Sequence, residues 1–288
     1  MIDTRLILNA AKKLRSNIRE TPFIKSKAFS EITGADVWFK LENFQVTGSF
    51  KVRGAVNKLL SLTDKEKYKG VITASTGNHG AAVAYASAQL GINCTIYVPK
   101  DASEAKLENM QQFGARIKMY GDDCINAEAE ARIISLKTGK TYISPYNDLE
   151  VIAGQGTIGV EIESQCDGLD TIIISIGGGG LISGTATYLK SIWPNLYVIA
   201  CSPKNSAVMI HSLDAGELRD LKSKPTLSDG TAGGVELDSV TFPICQQIID
   251  ETALLTENEI PPAYSVVGTP SSTALFLTDK NPFKSSSA

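Results

Sequence analysis

The chain has 288 residues, 43% hydrophobic and 20% charged, so it carries enough apolar material for one large or two moderate domains. A net charge of -3 without a basic cluster argues against a nucleic-acid partner, and no apolar run approaches the roughly 20 residues that cross a membrane. The N-terminal residues lack the layout of a signal peptide and the five cysteines show no paired spacing, so we expect a reduced, cytoplasmic protein.

Helix and strand patterns alternate along most of the chain. Helices are predicted from residue 49 onward and at residues 5–17, 78–90, 103–113, 124–138, 151–165, 181–193 and 205–215. Strands are predicted at residues 37–41, 71–73, 94–98, 116–120, 171–175 and 197–201. The polar segment 63–70 is predicted to be a linker. The alternation predicts an α/β fold with parallel sheets flanked by helices, in which ligands bind at the carboxyl ends of strands.

The first chemical motif is Thr47–Gly54, which places Lys51 at the start of a helix, directly after a glycine turn. Gly48 allows the turn, and Ser49 is the predicted N-cap. The positive end of the helix and partial burial both disfavour the ammonium form of Lys51. The neutral amine can act as a nucleophile or a base. The alternative is a surface lysine whose stem covers apolar surface.

The second motif is Ser75-Thr76-Gly77-Asn78-His79-Gly80, between a strand and an alanine-rich helix. Small polar residues ahead of a helix N-terminus offer N–H groups and hydroxyls to an anion such as a carboxylate. The Asn78 side chain can in addition donate a hydrogen bond to a ring hydroxyl or a carboxylate. The alternative is an ordinary capped turn, and under either interpretation His79 contributes mainly its backbone.

The third motif is Ser175–Leu181, in which four glycines stand between a strand and a helix. Such a turn can fold around a phosphate with its N–H groups pointing inward. A dinucleotide site fails two tests, because Ser183 stands where the fingerprint requires glycine and the following strand ends Ala200-Cys201-Ser202, without an acidic residue. A phosphate monoester fits better.

In their order and spacing these motifs resemble the fold-type II pyridoxal-phosphate enzymes, in particular the serine/threonine dehydratase (ammonia-lyase) and serine racemase group. The matching segments, within a resemblance that runs from about residue 5 to about 260, are GSFKVRG at 48–54, STGNHG at 75–80, AGQGTI at 153–158 and GGGGL at 177–181. The resemblance implies a two-domain, tryptophan synthase β-like fold and a homodimer. Residues 1–66 and 148–288 would form a large cofactor-binding domain, and residues 67–147 a small mobile domain.

The resemblance also implies pyridoxal 5'-phosphate as cofactor and an amino acid as substrate. Lys51 would form the Schiff base and act as the catalytic base. The other implied contacts are Phe50 and Asn78 to the cofactor ring, Gly177, Gly178, Gly179, Gly180 and Leu181 to its phosphate, and Ser75, Thr76, Asn78 and His79 to the substrate carboxylate. The implied reaction is the dehydration and deamination of L-threonine or L-serine to a 2-oxo acid and ammonia.

The chain departs from the family pattern in three places. Ser202 and Val208 stand where animal-type racemases hold a divalent cation with acidic residues, so no metal is predicted there. Thr76 carries a hydroxyl where racemases have a catalytic serine, which leaves a serine-type racemase as a second possibility. The sequence after Ile260 is atypical for the family, so we expect a truncated C-terminus. It lacks the Ser/Thr-Gly-Gly-Asn strand end whose hydroxyl bonds the pyridine nitrogen, and we expect the tail after about residue 261 to be poorly ordered.

The missing motif also leaves a third possibility, a catalytically impaired cofactor-binding or partner form.

Overall fold

The computed structural model describes residues 2–260 and the backbone of residues 274–278. The helices are α1 Thr4–Leu14, α2 Lys27–Thr33, α3 Lys51–Ser61, α4 Asp64–Lys69, α5 Asn78–Gln89, α6 Glu104–Gln111, α7 Cys124–Thr138, α8 Leu149–Gln165, α9 Gly180–Ile192, α10 Val208–Ala215 and α11 Thr241–Ile248. The strands are β1 Phe23–Lys25, β2 Val37–Leu41, β3 Val71–Ala74, β4 Cys94–Val98, β5 Arg116–Met119, β6 Thr141–Tyr142, β7 Thr171–Ser175, β8 Tyr197–Pro203, β9 Glu251–Leu255 and β10 Ala274–Thr278. Among the described helices, none is both long and apolar enough to span a bilayer.

The strands form two sheets, and the predicted α/β fold with parallel sheets flanked by helices is confirmed. One sheet has the order β5-β4-β3-β6 and is parallel throughout. The other has the order β1-β2-β10-β7-β8-β9, with β7, β8 and β9 parallel and the remaining pairs antiparallel. The antiparallel part was not predicted. Only residues 26–36 join β1 to β2, fewer than the roughly dozen residues that a parallel crossover needs.

The segment predicted as a linker, residues 63–70, contains helix α4, so that prediction is wrong. Thr63 and Glu66 form a capping box in which the Glu66 amide donates to Thr63 Oγ1 (3.3 Å) and the Thr63 amide donates to Glu66 Oε2 (2.8 Å). Each side chain therefore satisfies a backbone donor that a free helix end would leave unpaired. The Thr-x-x-Glu spacing of the sequence already carried this signal.

The tail after about residue 261, which we expect to be poorly ordered, contains one described segment. Residues 274–278 form β10, which pairs with β2 on one side and β7 on the other. Residues 261–273 and 279–288 lie outside the described residues. Because β10 runs antiparallel to β7, Thr278 pairs with Thr171 at the start of β7, whereas the glycine turn follows the end of that strand.

Helix α8 is buried along most of its length and packs against both α3 and α9. The contact with α3 is a close backbone approach, which glycine permits because it has no side chain. A Cβ atom at Gly154 would lie 2.6 Å from the carbonyl oxygen of Arg53 and 2.6 Å from the Cα atom of Gly54. This crossing fixes the first turns of α3, and with them Lys51, against the centre of the fold.

We expect Gly154→Ala to lower the free energy of unfolding by about 2 kcal/mol, measured by urea denaturation. Alanine is the better helix former by about 1 kcal/mol, so a loss of stability would isolate the cost of separating the two backbones. Gly168→Ala is the matched control, because a Cβ atom there meets nothing within 4 Å and the backbone is not left-handed. A Gly154→Ala protein as stable as wild type would contradict the close crossing.

Candidate active site

The predicted motifs lie far apart in sequence, and the structure joins them through residues 143–147, here called the hub segment. The segment connects β6 to α8. Lys51 Nζ donates to the carbonyl oxygen of Pro145 at 3.1 Å, and the ring nitrogen Nε2 of His79 lies 3.0 Å from the carbonyl oxygen of Ile143.

The hub segment also contacts the glycine turn. A Cβ atom at Gly178 would overlap the Tyr146 ring, approaching Cε1 to 2.6 Å, and one at Gly180 would lie 3.0 Å from the Cα and Cβ atoms of Tyr146. Lys51, the 75–80 turn and the glycine turn therefore surround one short segment. Nothing in the periodicity of the sequence singled out Tyr146.

The structure assigns every predicted site residue to the first motif, one of these two turns or the adjoining helix. Phe50 is buried directly before α3, Ser75 and Thr76 lie partly buried between β3 and α5, Asn78 is the first residue of α5, and Leu181 is buried in the first turn of α9. Their contacts with cofactor and substrate remain predictions.

Helix α3 begins without the predicted Ser49 cap, so that prediction is wrong. The residue before the helix is Phe50, whose φ of -60° and ψ of -19° are already helical, and it makes no side-chain capping bond. A capping serine needs extended backbone angles at the N-cap position, which Phe50 occupies instead. The Ser49 hydroxyl is buried and, like that of Thr47, meets no hydrogen-bond partner in the described part of the chain.

The amine of Lys51 lies in an environment that favours its neutral form. Burial lowers the pKa of Lys51 from 10.5 to about 8. The ring of Phe50, centred 5.2 Å from Nζ, forms part of the apolar surroundings. About a tenth of Lys51 is therefore uncharged at pH 7, far more than of an ordinary lysine, and the neutral amine is the form that nucleophilic or basic chemistry requires.

We expect Lys51 of the cofactor-free protein to react with an amine-acylating reagent along a pH curve whose midpoint is about 8. Only the neutral amine is nucleophilic, so reactivity rises as the pH passes the pKa, and an ordinary lysine does so near ~10.4. Peptide mapping by mass spectrometry reads each lysine separately, and the exposed lysines of the same sample serve as the internal control. A midpoint for Lys51 among those of the exposed lysines would refute the lowered pKa.

His79 is buried, and its pKa is lowered to about 3 by that burial and by the nearby charge of Lys51. The imidazole is therefore neutral at physiological pH. Since the carbonyl of Ile143 can only accept, Nε2 carries the proton and donates it. The ring is thus bonded to the hub segment, and the binding of a substrate carboxylate by the His79 amide stays a prediction.

The glycine turn is built to present N–H groups. Gly179 has a φ of +85°, a left-handed conformation that favours glycine, and α9 starts at Gly180. In the described hydrogen-bond network none of the amides of residues 177–180 donates to a protein acceptor. Such free donors at a helix N-terminus bind anions.

Packing also requires these glycines, which the sequence did not reveal. Gly177 faces the carbonyl oxygen of Thr231, to which a Cβ atom would come within 2.6 Å. Thr241 Oγ1 donates to the carbonyl oxygen of Gly178 at 2.6 Å, which fixes the outer side of the turn. The loop around residue 231 and the start of α11 therefore hold the turn in shape.

A buried charge network anchors α3 two residues after Lys51. The guanidinium of Arg53 has no exposed side-chain surface and forms paired hydrogen bonds of 2.6–2.9 Å to the carboxylates of Glu42 and Glu161. Lys40, also fully buried, donates to Glu161 at 2.6 Å. The two cations and two carboxylates balance, so the network ties α3 to β2 and α8 without net charge.

A cavity of about 320 Å³ lies elsewhere, where the strands of the parallel sheet begin, and is lined by Lys69, Arg116 and Lys140. Lys69 lies in the last turn of α4, and Arg116 and Lys140 follow the ends of α6 and α7. Lys69 and Lys140 complement the partial negative charge of the C-termini of α4 and α7, whereas Arg116 is the first residue of β5. Neither Lys51 nor the glycine turn borders this cavity.

The residues present fit the predicted cofactor at two points, its phosphate and its aldehyde. The free amides of residues 177–180 match a phosphate monoester, and the Lys51 amine matches an aldehyde. In the described residues no group of three or more His, Cys, Asp or Glu side chains is arranged to hold a metal ion.

Comparison with known proteins agrees with this geometry. Residues 14–265 match the family model described as pyridoxal-phosphate dependent enzyme. The L-threonine ammonia-lyase of Thermotoga maritima is 39% identical over 91% of this chain, and the catabolic L-threonine dehydratase TdcB of Escherichia coli K12 is 39% identical over 88%. The chain spans 65% of the length of the first relative and 77% of the second.

Solved structures that share the fold include two that are 34% identical to this chain. Maize serine racemase superposes with a TM-score of 0.87 at 34% identity, over 92% of this chain and 80% of that one. The processed form of threonine deaminase isoform 2 from Solanum lycopersicum superposes with a TM-score of 0.85 at 34% identity, over 91% and 78%. The chain therefore belongs to the pyridoxal-phosphate dependent enzyme family, in the fold-type II group that contains the threonine dehydratases and serine racemases.

Proposed function

We propose that the chain catalyses the pyridoxal-phosphate dependent dehydration and deamination of a β-hydroxy amino acid, L-threonine or L-serine, to a 2-oxo acid and ammonia. The observation that carries the proposal is the hub segment, which joins the low-pKa amine of Lys51 to both anion-binding turns. Relatives 39% identical to this chain are an L-threonine ammonia-lyase and an L-threonine dehydratase, which supports the reaction class.

When bound, the cofactor supplies an electron sink for the bond electrons of the substrate Cα. The chain supplies position and proton transfer. The amides of residues 177–180 would hold the phosphate of the cofactor, Phe50 would pack beside its ring, and Asn78 would donate a hydrogen bond to its ring hydroxyl. Ser75, Thr76, Asn78 and the His79 amide bind the substrate carboxylate. Lys51, whose lowered pKa of about 8 makes the neutral amine available, accepts the proton from the substrate Cα at Nζ.

A serine-type racemase is the second candidate. It is favoured by the hydroxyl of Thr76 in the 75–80 turn and by the similarity to maize serine racemase. A catalytically impaired cofactor-binding or partner form is the third. It is favoured by the missing Ser/Thr-Gly-Gly-Asn strand end in the sequence. Strand β10 does not replace that strand end, because it runs antiparallel to β7 and ends beside Thr171, at the opposite end of β7 from the glycine turn.

Assays of the purified protein with added pyridoxal phosphate separate the three candidates. The lyase predicts equal amounts of 2-oxo acid and ammonia from L-threonine or L-serine, and neither product from a Lys51→Ala protein. A racemase predicts D-serine by chiral chromatography. Tight cofactor binding without turnover of either substrate would support the impaired form and refute both catalytic proposals.

We further propose a cytoplasmic homodimer with a small mobile domain at residues 67–147. All five cysteines are free thiols, which suits a reducing compartment. The six-stranded sheet packs on one hydrophobic cluster and the parallel sheet on two others. Helix α3 contributes apolar residues to the larger cluster of the parallel sheet and also packs against α8. Light scattering tests the dimer, and limited proteolysis with and without cofactor tests the mobile domain.

A further inference from the structure

Tyr146 covers the glycine turn from the side of the hub segment. Its ring lies against Gly178 and its Cα and Cβ atoms against Gly180, so neither glycine could carry a side chain without moving Tyr146. Four consecutive glycines have wide conformational freedom, and a donor set that must first be ordered binds its anion weakly. A ring packed on the Cα side of the turn restricts that freedom.

The Tyr146 side chain is itself held at its hydroxyl end. The backbone amide of Glu236 donates to the Tyr146 hydroxyl at 2.9 Å. The neighbouring Asn147 holds the same loop at two points, donating from Nδ2 to Glu236 Oε2 at 3.0 Å and accepting from the Val240 amide at 2.8 Å. Rotation of the ring away from the glycine turn would therefore break a hydrogen bond to a loop that is anchored separately.

The Glu236 loop is tied in turn to helix α7. Arg132 pairs with Glu236 Oε1 at 2.9 Å and with Glu128 Oε1 at 2.9 Å, and its guanidinium lies 4.2 Å from the centre of the Tyr142 ring. The contacts run without a break from α7 through Glu236 to Tyr146 and the glycine turn. They do not pass through Lys51.

We propose that Tyr146 is a positioning residue for the phosphate-binding turn, held in place by Glu236, and that its action is specific to the phosphate monoester of the cofactor. Because it concerns that phosphate, this role rests on the function proposed above. The alternative is that Tyr146 contributes only to core packing. In that case its removal would lower the affinity for every ligand of the site equally, or for none.

The test compares two ligands that differ only in the phosphate. Equilibrium dialysis of the cofactor-free protein gives Kd values for pyridoxal phosphate and for pyridoxal. Tyr146→Phe removes the hydrogen bond to the Glu236 amide and keeps the ring, so we expect the affinity for pyridoxal phosphate to fall by about threefold to tenfold. Tyr146→Ala removes the ring as well and should lose more, while the affinity of both variants for pyridoxal stays within about twofold of wild type.

Two further variants complete the design. Glu236→Ala keeps the backbone amide but removes the side-chain bonds to Asn147 and Arg132. Like the Tyr146 variants, it should lower the affinity for pyridoxal phosphate and leave the affinity for pyridoxal unchanged. Tyr197→Phe is the control, because it removes a tyrosine hydroxyl that lies 3.0 Å from Glu251 Oε2, at the start of β8, and should change neither affinity.

Equal losses of affinity for both ligands, or no loss of affinity in Tyr146→Phe and Tyr146→Ala, would overturn the role of Tyr146. Neither result would bear on the proposed function. Wild-type protein that binds pyridoxal phosphate no better than Lys51→Ala would overturn the proposed function as well. If Tyr146→Ala fails to fold, the affinities of Tyr146→Phe and Glu236→Ala still test the role of Tyr146.

Discussion

Lys51→Ala is expected to lower the rate of 2-oxo acid formation from L-threonine or L-serine by about 10³-fold or more, since a positioned general base typically contributes 10²–10⁴-fold. Lys51 combines a pKa of about 8 with a position against the hub segment, 3.1 Å from the Pro145 carbonyl. The same change removes the amine that would bond the cofactor aldehyde, so the affinity for pyridoxal phosphate should fall together with the rate.

The control for this experiment is Lys12→Ala, which removes an exposed lysine from α1. It should leave both turnover and cofactor affinity unchanged. Circular dichroism and urea denaturation must show that Lys51→Ala remains folded. A folded Lys51→Ala protein that keeps a tenth or more of the wild-type rate would exclude Lys51 as the base.

The second large effect is expected from Arg53→Met, which should lower the free energy of unfolding by about 3–5 kcal/mol. Methionine fills much of the space that the arginine occupied. It leaves the Glu42 carboxylate without its buried cationic partner and the Glu161 carboxylate with Lys40 as its remaining cation. An uncompensated buried charge is costly, because the interior cannot replace the water that the carboxylate loses.

Two comparisons separate the cost of the unpaired buried carboxylate from the cost of the lost packing. Adding Glu42→Gln to Arg53→Met removes one stranded carboxylate and should recover part of the lost stability. Arg219→Met breaks an exposed pair with Glu217 and should change stability by less than about 1 kcal/mol. A loss below that limit for Arg53→Met itself would contradict the anchoring role of the network.

The network should also shape the response to acid. Burial favours protonation of Glu161, but Arg53 and Lys40 outweigh it, so the pKa of Glu161 lies below 4.5. A lowered folded-state pKa contributes stability that is present above the unfolded value and lost as the pH falls through the folded value. Wild type should therefore keep this contribution above about pH 4.5 and lose it in more acidic solution.

The parts of the fold set by local pattern were predictable. The strands Cys94–Val98 and Thr171–Ser175 and the helix Cys124–Thr138 have the predicted bounds, because apolar runs and capping residues define them within the segment itself. The direction of a strand in its sheet depends on partners elsewhere in the chain, and for this reason the antiparallel part of the six-stranded sheet was missed.

The chemistry-bearing residues were more predictable than their surroundings. Lys51 and the glycine turn follow local rules for helix starts and anion-binding turns. Tyr146 and Glu236 matter through contacts across about 90 residues of chain, which no spacing rule expresses. Arg53 belongs to the first motif, but its ion pairs were not predictable from the sequence. Its two carboxylate partners lie outside α3: Glu42 directly follows β2, and Glu161 lies in α8.

The most direct test of the site is to identify the lysine that the cofactor bonds. Purified protein is mixed with an equimolar amount of pyridoxal phosphate, reduced with borohydride and digested, and the peptides are analysed by mass spectrometry. We expect the pyridoxyl phosphate group on the peptide that contains Lys51. Labelling spread over exposed lysines, with Lys51 unmodified, would contradict the assembly of the site around this residue.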